Sequence, residues 1–316
     1  MSKNSIAILL FIILTGISCK DNPTAPEQNN IMIPELILIN KDLTFTMGNS
    51  WGKEVEANEI PAHTVKLSPY YIGKYEVTNE EYLCFVKDNG YTDSSYWSPD
   101  GWKLIKELNI TCPIHWDSTD TPWINYGYSN QARMPICNIT WWEAEAYCIW
   151  LSKKTGENYS LPTEAQWERA ARGPDPGRRF PWGNISDTAK YNDVGFFSYG
   201  RYMRVVGSYP DGKSYDGCFD FSGNAIEYCK DWYDFWRDSS YYKWCSEQGT
   251  VVDPKGPISG KSKVIRGVQN MLSAIYEESR EITTTRRFLA VLYTLDGQLH
   301  KGIDNNTGFR VVKTVL

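Results

Sequence analysis

Along residues 35–50, ELILINKDLTFTMGNS, apolar and polar side chains alternate and the run ends in a Gly-Asn turn. That period of two predicts a strand or a hairpin. HTVKLSPYYIGKYEVT continues the alternation through Val65, Leu67, Tyr71 and Tyr75. The period then changes. In VTNEEYLCFVKDNG, Thr78 stands where a helix cap belongs and Glu81 follows three residues later, the spacing of a capping box. Tyr82, Phe85 and Val86 form one apolar face, and Asn89-Gly90 stops the helix.

The same device recurs twice. In ITWWEAEAYCIWLSKKTG, Thr140 caps and Glu143 answers, Ala144, Tyr147, Cys148 and Leu151 share a face, and Gly156 ends the helix. In LPTEAQWERAARG the cap is Thr163, the answering residue Gln166 and the stop Gly173. From Pro174 onward, Gly, Pro, Asn and Asp are frequent, which predicts ordered loops and short strands. KVIRGVQ and the final GFRVVKTV read as strands, while EESREITTTRRF between them is a polar segment of no clear period. No linker or repeat divides the chain after Pro34, so residues 34–316 read as one α+β domain.

The first residues change this picture at one end. Lys3 precedes a nine-residue apolar run, IAILLFIIL, too short to span a bilayer, and TGISC follows. Small residues before Cys19 resemble a bacterial lipoprotein signal, in which that cysteine is lipidated and becomes the mature N-terminus. Gly16 stands where leucine is usual, and plain signal-peptidase cleavage is the alternative. Either route exports the protein. Residues 1–18 are therefore assigned as signal, residues 19–33 as a polar tether, and the location as the cell envelope, anchored to a membrane by lipid.

The 316-residue chain carries 33 Lys+Arg against 38 Asp+Glu, so no basic stripe points to nucleic acid. Its 13 Trp and 21 Tyr imply a stiff core. Trp141, Trp142 and Trp182 are assigned to packing ahead of a contact surface. Seven cysteines follow Cys19, an odd number that leaves at least one thiol free or paired between chains, and no CxxC pair suggests zinc or thioredoxin-like chemistry. His63, His115 and His300 are too scattered for a metal site.

FDFSGNAIEY, residues 219–228, sets Asp220 and Glu227 around a small, flexible centre. It reads either as a turn leading into a capped helix or as a loop that curls its carbonyls inward, with Glu227 closing a cage of oxygens.

Taken in order, FTMGNS, PYYIGKYEVTNEEY, MPICNITWWEAEAYCIWLS, LPTEAQWERAARG, FPWGN, FSGNAIEY, IRG and GFRVV resemble the formylglycine-generating enzyme, or sulfatase-modifying-factor, family across nearly the whole mature chain. The resemblance implies its variant of the C-type-lectin-like fold: a small twisted sheet, two or three helices, and long loops held partly by calcium. It also implies a calcium site at Asp220, Phe221, Gly223, Ala225 and Glu227, in keeping with the hard oxygens that calcium takes. A second site at Asn192 and Asp193 lacks its downstream acid, because Ser198 stands there.

The family's enzymes oxidise a cysteine of a sulfatase peptide, using copper on two thiolates that follow an RGGSW-like strand. Here that stretch runs RGVQNMLSAIYEESREITTTRRF, and no cysteine occurs from Arg266 to the C-terminus. Copper(I) selects soft sulfur, and Met271 cannot replace two thiolates, so copper is not expected. Iron-dependent relatives use several histidines that this chain does not supply. The resemblance leaves an open groove where relatives bind substrate, in which Arg280, Arg286 and Arg287 are candidates to pair with anionic groups of a peptide or glycan partner. The alternative is an oxidoreductase of the formylglycine-generating type with divergent ligands.

Overall fold

Three small sheets and five α-helices build the described part of the chain. The computed structural model describes residues 31–50, 59–114, 116, 131–192, 203–233, 240–267, 284–285, 288–291 and 306–315. All of them belong to one unit, Ile31–Leu316.

The alternating N-terminal pattern forms four strands, β1 (Leu36–Ile39), β2 (Thr44–Met47), β3 (His63–Lys66) and β4 (Tyr70–Gly73). β1 and β2 do not pair with each other as a hairpin. β1 pairs antiparallel with β4 and β2 with β3, so the chain crosses between sheets at the Lys41–Asp42 corner, where Asp42 has φ 49°. The first sheet has the order β1-β4-β11-β5, with β5 at Tyr159–Ser160 and β11 at Val312–Thr314. Its register sets Ile37, Ile72 and Val312 side by side. The second has the order β10-β6-β8-β9, from Thr307–Gly308, Ile226–Trp232, Ser262–Arg266 and Phe288–Val291; the third is β2-β3-β7, with β7 at Thr250–Val252.

The three capping boxes are all present. α1 (Asn79–Lys87), α3 (Trp141–Thr155) and α4 (Glu164–Arg172) begin after Thr78, Thr140 and Thr163, and each cap hydroxyl accepts the N3 amide while the N3 side chain accepts the cap amide. Gly156 closes α3 in the left-handed region at φ 74°. Two further helices, α2 (Pro99–Glu107) and α5 (Ser240–Glu247), are additional to the two or three that the resemblance implies. The C-terminal GFRVVKTV splits into β10 and β11, which lie in different sheets, because the buried Phe309–Val311 stretch between them belongs to neither.

One core is aromatic and lies among α1, α2 and α3. Tyr82 stacks on Tyr147 with centroids 5.5 Å apart at 14°, and Phe85 and Phe309 meet these rings edge-on. Trp141 and Trp142 are buried, as packing requires. Each such ring contributes roughly 1.5–3 kcal/mol through burial. The second core packs α4 through Ala165, Trp167, Ala170 and Ala171 against Phe45, Val65, Ile72 and Val264.

Candidate functional site

The stretch after Cys218 makes a left-handed corner and then a strand. Asp220 has φ 62°, Gly223 φ 78° and Asn224 φ 57°, conformations that short polar residues and glycine tolerate best. Gly223 is fixed by its neighbour as well: a Cβ there would lie 2.2 Å from the Asn192 carbonyl oxygen. From Ile226 the chain runs straight into β6. The capped-helix alternative is thus corrected: β8 offers Ile226–Trp232 an antiparallel partner, with Glu227 opposite Arg266 and Tyr228 opposite Ile265.

The Phe221 and Ala225 carbonyl oxygens lie 3.4 and 3.5 Å from where a Cβ on Gly267 would stand. The Phe219 carbonyl accepts Arg310 Nη2 at 2.9 Å. Glu227 is wholly buried, and both its oxygens are taken by Arg310, Oε2 by Nε at 2.6 Å and Oε1 by Nη2 at 2.5 Å. The Trp167 indole N–H adds a third bond to Oε2 at 2.8 Å. A Glu227 held this way does not fit the calcium ligand that the resemblance assigns to it, because its lone pairs and its charge are already matched.

Two more buried acids adjoin this pair. Glu76 Oε1 accepts the Ala225 amide at 3.0 Å, while no protein donor reaches Oε2. Asp220 Oδ2 accepts the Gly207 amide at 2.7 Å. Burial, and then the neighbouring Asp220 and Glu227 charges, hold the Glu76 carboxyl well above the usual carboxylate range. Burial raises Asp220 to about 6 against the opposing pull of the Gly207 N–H. Glu76 also lines a cavity of about 220 Å³ with Tyr75, Thr78, Glu80, Glu81 and Arg133. Residue-type pattern alone gave no sign of Glu76: it falls in a strand-to-helix connection, and only the tertiary fold carries it to Asp220.

Of the second candidate pair, Asn192 and Asp193, only Asn192 is among the described residues. Asn192 is buried, with its carbonyl accepting the Asn224 amide at 3.0 Å and its Nδ2 donating to Asn224 Oδ1 at 3.2 Å. Asp193 lies outside the described residues, as do Cys19, Met271, Arg280, Arg286, Arg287, His115 and His300. Among the described residues no group of three or more His, Cys, Asp and Glu side chains is arranged to hold a metal ion. His63 is a packing residue, with Nδ1 3.1 Å from the Pro61 carbonyl oxygen. Trp182 is half-buried between Phe180 and Tyr191, stacked at 5.2 and 5.8 Å. All seven cysteines after Cys19 are free thiols; burial pushes Cys137 and Cys218 up to about 12.

Arg266 is the last residue of β8, and its Nη2 donates to the Thr284 carbonyl at 2.5 Å. Thr285 Oγ1 donates to Glu59 Oε1, and the Thr284 amide donates to the Arg179 carbonyl at 2.9 Å. The donor set for copper does not fit here, since no cysteine follows Arg266.

The capped helices and short sheets carry the motifs in the order in which they stand along the chain. The model of the sulfatase-modifying factor enzyme 1-like domain matches residues 21–315, and the chain belongs to that family. The hercynine oxygenase of Mycobacterium tuberculosis is 36% identical over 178 residues, covering 54% of this chain and 40% of the relative. The formylglycine-generating enzyme of Thermomonospora curvata is 29% identical over 260 residues, covering 71% and 78%. The chain thus spans less than half the length of the hercynine oxygenases it matches. The solved structure of PvdO from Pseudomonas aeruginosa shares the fold, with a TM-score of 0.57 at 22% identity over 89% of this chain and 95% of that one. The mixed helix-and-sheet architecture is the family's variant of the C-type-lectin-like fold.

Proposed function

We propose that this chain is a non-catalytic binding or scaffold member of the family, held at the cell envelope by lipid on Cys19, that receives a peptide or glycan in the groove where relatives bind substrate. One observation carries the reading: from Arg266 to the C-terminus there is no cysteine to grip copper. Arg280, Arg286 and Arg287 supply guanidinium forks for the partner's anionic groups. The test has two arms. Copper-loaded protein is mixed with a cysteine-containing sulfatase peptide in an oxygen electrode, and the same protein is screened against glycans and envelope extracts. Binding that weakens in an Arg280→Gln, Arg286→Gln, Arg287→Gln triple variant, without oxygen uptake, supports the reading. Oxygen uptake with aldehyde on the peptide overturns it. Palmitate labelling that disappears in Cys19→Ser tests the anchor.

A second reading has its own support: curated relatives carry oxidase-type names, formylglycine-generating enzyme and hercynine oxygenase. On that reading the chain oxidises a protein cysteine with ligands other than the usual pair. The oxygen electrode decides between the two.

A further inference from the structure

We propose that Arg310 is the resident cation of the 219–228 loop, so that a side chain does here what calcium does in the ligand set carried over from the family, and the loop folds without the ion. Of the assigned ligands the guanidinium reaches Glu227, at both of its oxygens. It donates to both Glu227 oxygens, to the Phe219 carbonyl at 2.9 Å and to the Gly73 carbonyl at 3.0 Å, and its flat face lies 3.8 Å from the centre of the Phe221 ring. Four hydrogen bonds reach three segments, Phe219 in the loop, Gly73 at the end of β4 and Glu227 at the start of β6. That is the crosslinking an ion would provide, in the planar fork geometry that only arginine offers.

Gly223 packs against the Asn192 carbonyl, whose oxygen lies 2.2 Å from where a Gly223 Cβ would stand, so a backbone contact also holds the loop at that position. A calcium ion prefers six to eight oxygens. At Glu227 it would have to share a carboxylate that already accepts three N–H bonds, or displace a wholly buried guanidinium whose charge repels it. Nearby, Glu76 Oε1 accepts the Ala225 amide and Asp220 Oδ2 accepts the Gly207 amide.

The test uses the full chain after treatment with EGTA and again with calcium in excess. Metal content is read by mass spectrometry and the midpoint of unfolding by calorimetry. The expected result is substoichiometric calcium and the same midpoint in both buffers. Arg310→Lys, which keeps the charge and loses the fork, is expected to lower the midpoint equally with and without calcium. One retained equivalent of calcium, together with a midpoint that falls in EGTA and returns with calcium, overturns the proposal. The wild-type arm decides by itself if Arg310→Lys does not fold.

Discussion

Arg266 Nη2 stands 2.7 Å from Glu168 Oε2, with both side chains sealed from solvent. The same guanidinium holds Glu164 Oε1 at 2.5 Å, and Glu168 Oε1 in turn takes Arg172 Nη1 at 3.0 Å and the Gly48 amide at 2.7 Å. One face of α4 is therefore a closed chain of alternating charge that ties β8, β2 and the helix together. Breaking a buried pair leaves its partner's charge uncompensated, so Glu168→Ala is expected to cost roughly 3–5 kcal/mol. Urea unfolding followed by circular dichroism measures it. Surface-pair behaviour, a loss well under about 1 kcal/mol, would show that the network is not sealed as described.

Asp231 supplies a pH dependence with a definite sign. Its Oδ2 accepts the Glu164 amide at 2.9 Å, and burial, reinforced by the Glu164 charge, pushes it from 3.8 up to about 7. Between those values the native state binds more protons than the unfolded chain. The contribution of this residue to stability is present at the acid end of the window and is lost as pH rises through about 7. Asp231→Asn keeps an acceptor for the Glu164 amide and is expected to flatten the slope of stability against pH in that window, read from urea midpoints at a series of pH values.

Two glycines separate conformational need from space. At Gly223 a Cβ would meet the Asn192 carbonyl oxygen at 2.2 Å; at Gly156 nothing lies within 4 Å, although both have positive φ. Gly156→Ala is expected to cost only the left-handed penalty, about 1–2 kcal/mol. Gly223→Ala adds a backbone collision at the candidate site and should lower the calorimetric midpoint by clearly more.

Glu143 closes a cap and a core bond together. Its Oε2 accepts the Thr140 amide at 2.7 Å and its Oε1 accepts the Tyr91 hydroxyl at 2.5 Å, deep among the aromatics. Thr140→Ala is expected to cost about 1 kcal/mol, the usual value of a cap. Glu143→Ala strands the buried Thr140 amide, at roughly 1–3 kcal/mol, and leaves the Tyr91 hydroxyl only the Tyr82 hydroxyl 3.1 Å away. A double-mutant cycle with Tyr91→Phe is expected to return part of that loss, because the phenol no longer needs an acceptor; strict additivity would refute the coupling.

Legibility in the sequence followed the range of the interactions. The three Thr-capped helices were readable because a capping box is contained in four consecutive residues. Strand existence was readable from alternation at 36–39, 44–47, 63–66 and 70–73, yet pairing was not: β1 and β2 follow each other in the chain and still join different sheets. α5 was missed although Gly249, at φ 76°, stands two residues past its end as a stop signal. EAQWERAAR was readable as a helix, but nothing in its pattern marks Glu164, Glu168, Arg169 and Arg172 as interior, since their partners come from β2, β8 and the 41–42 and 216 corners.

By itself the sequence determined the three Thr-capped helices and the alternating N-terminal strands, the order of motifs that places the chain in its family, and the lack of any cysteine after Arg266. Those properties are local, set by spacing and residue type. Only the tertiary structure decided that Glu227 meets Arg310, 83 residues away, and that Glu76 arrives at Asp220. Burial makes the difference: a carboxylate deprived of water must find a cation, a donor or a proton, and which of these it finds depends on what the fold brings within about 3 Å.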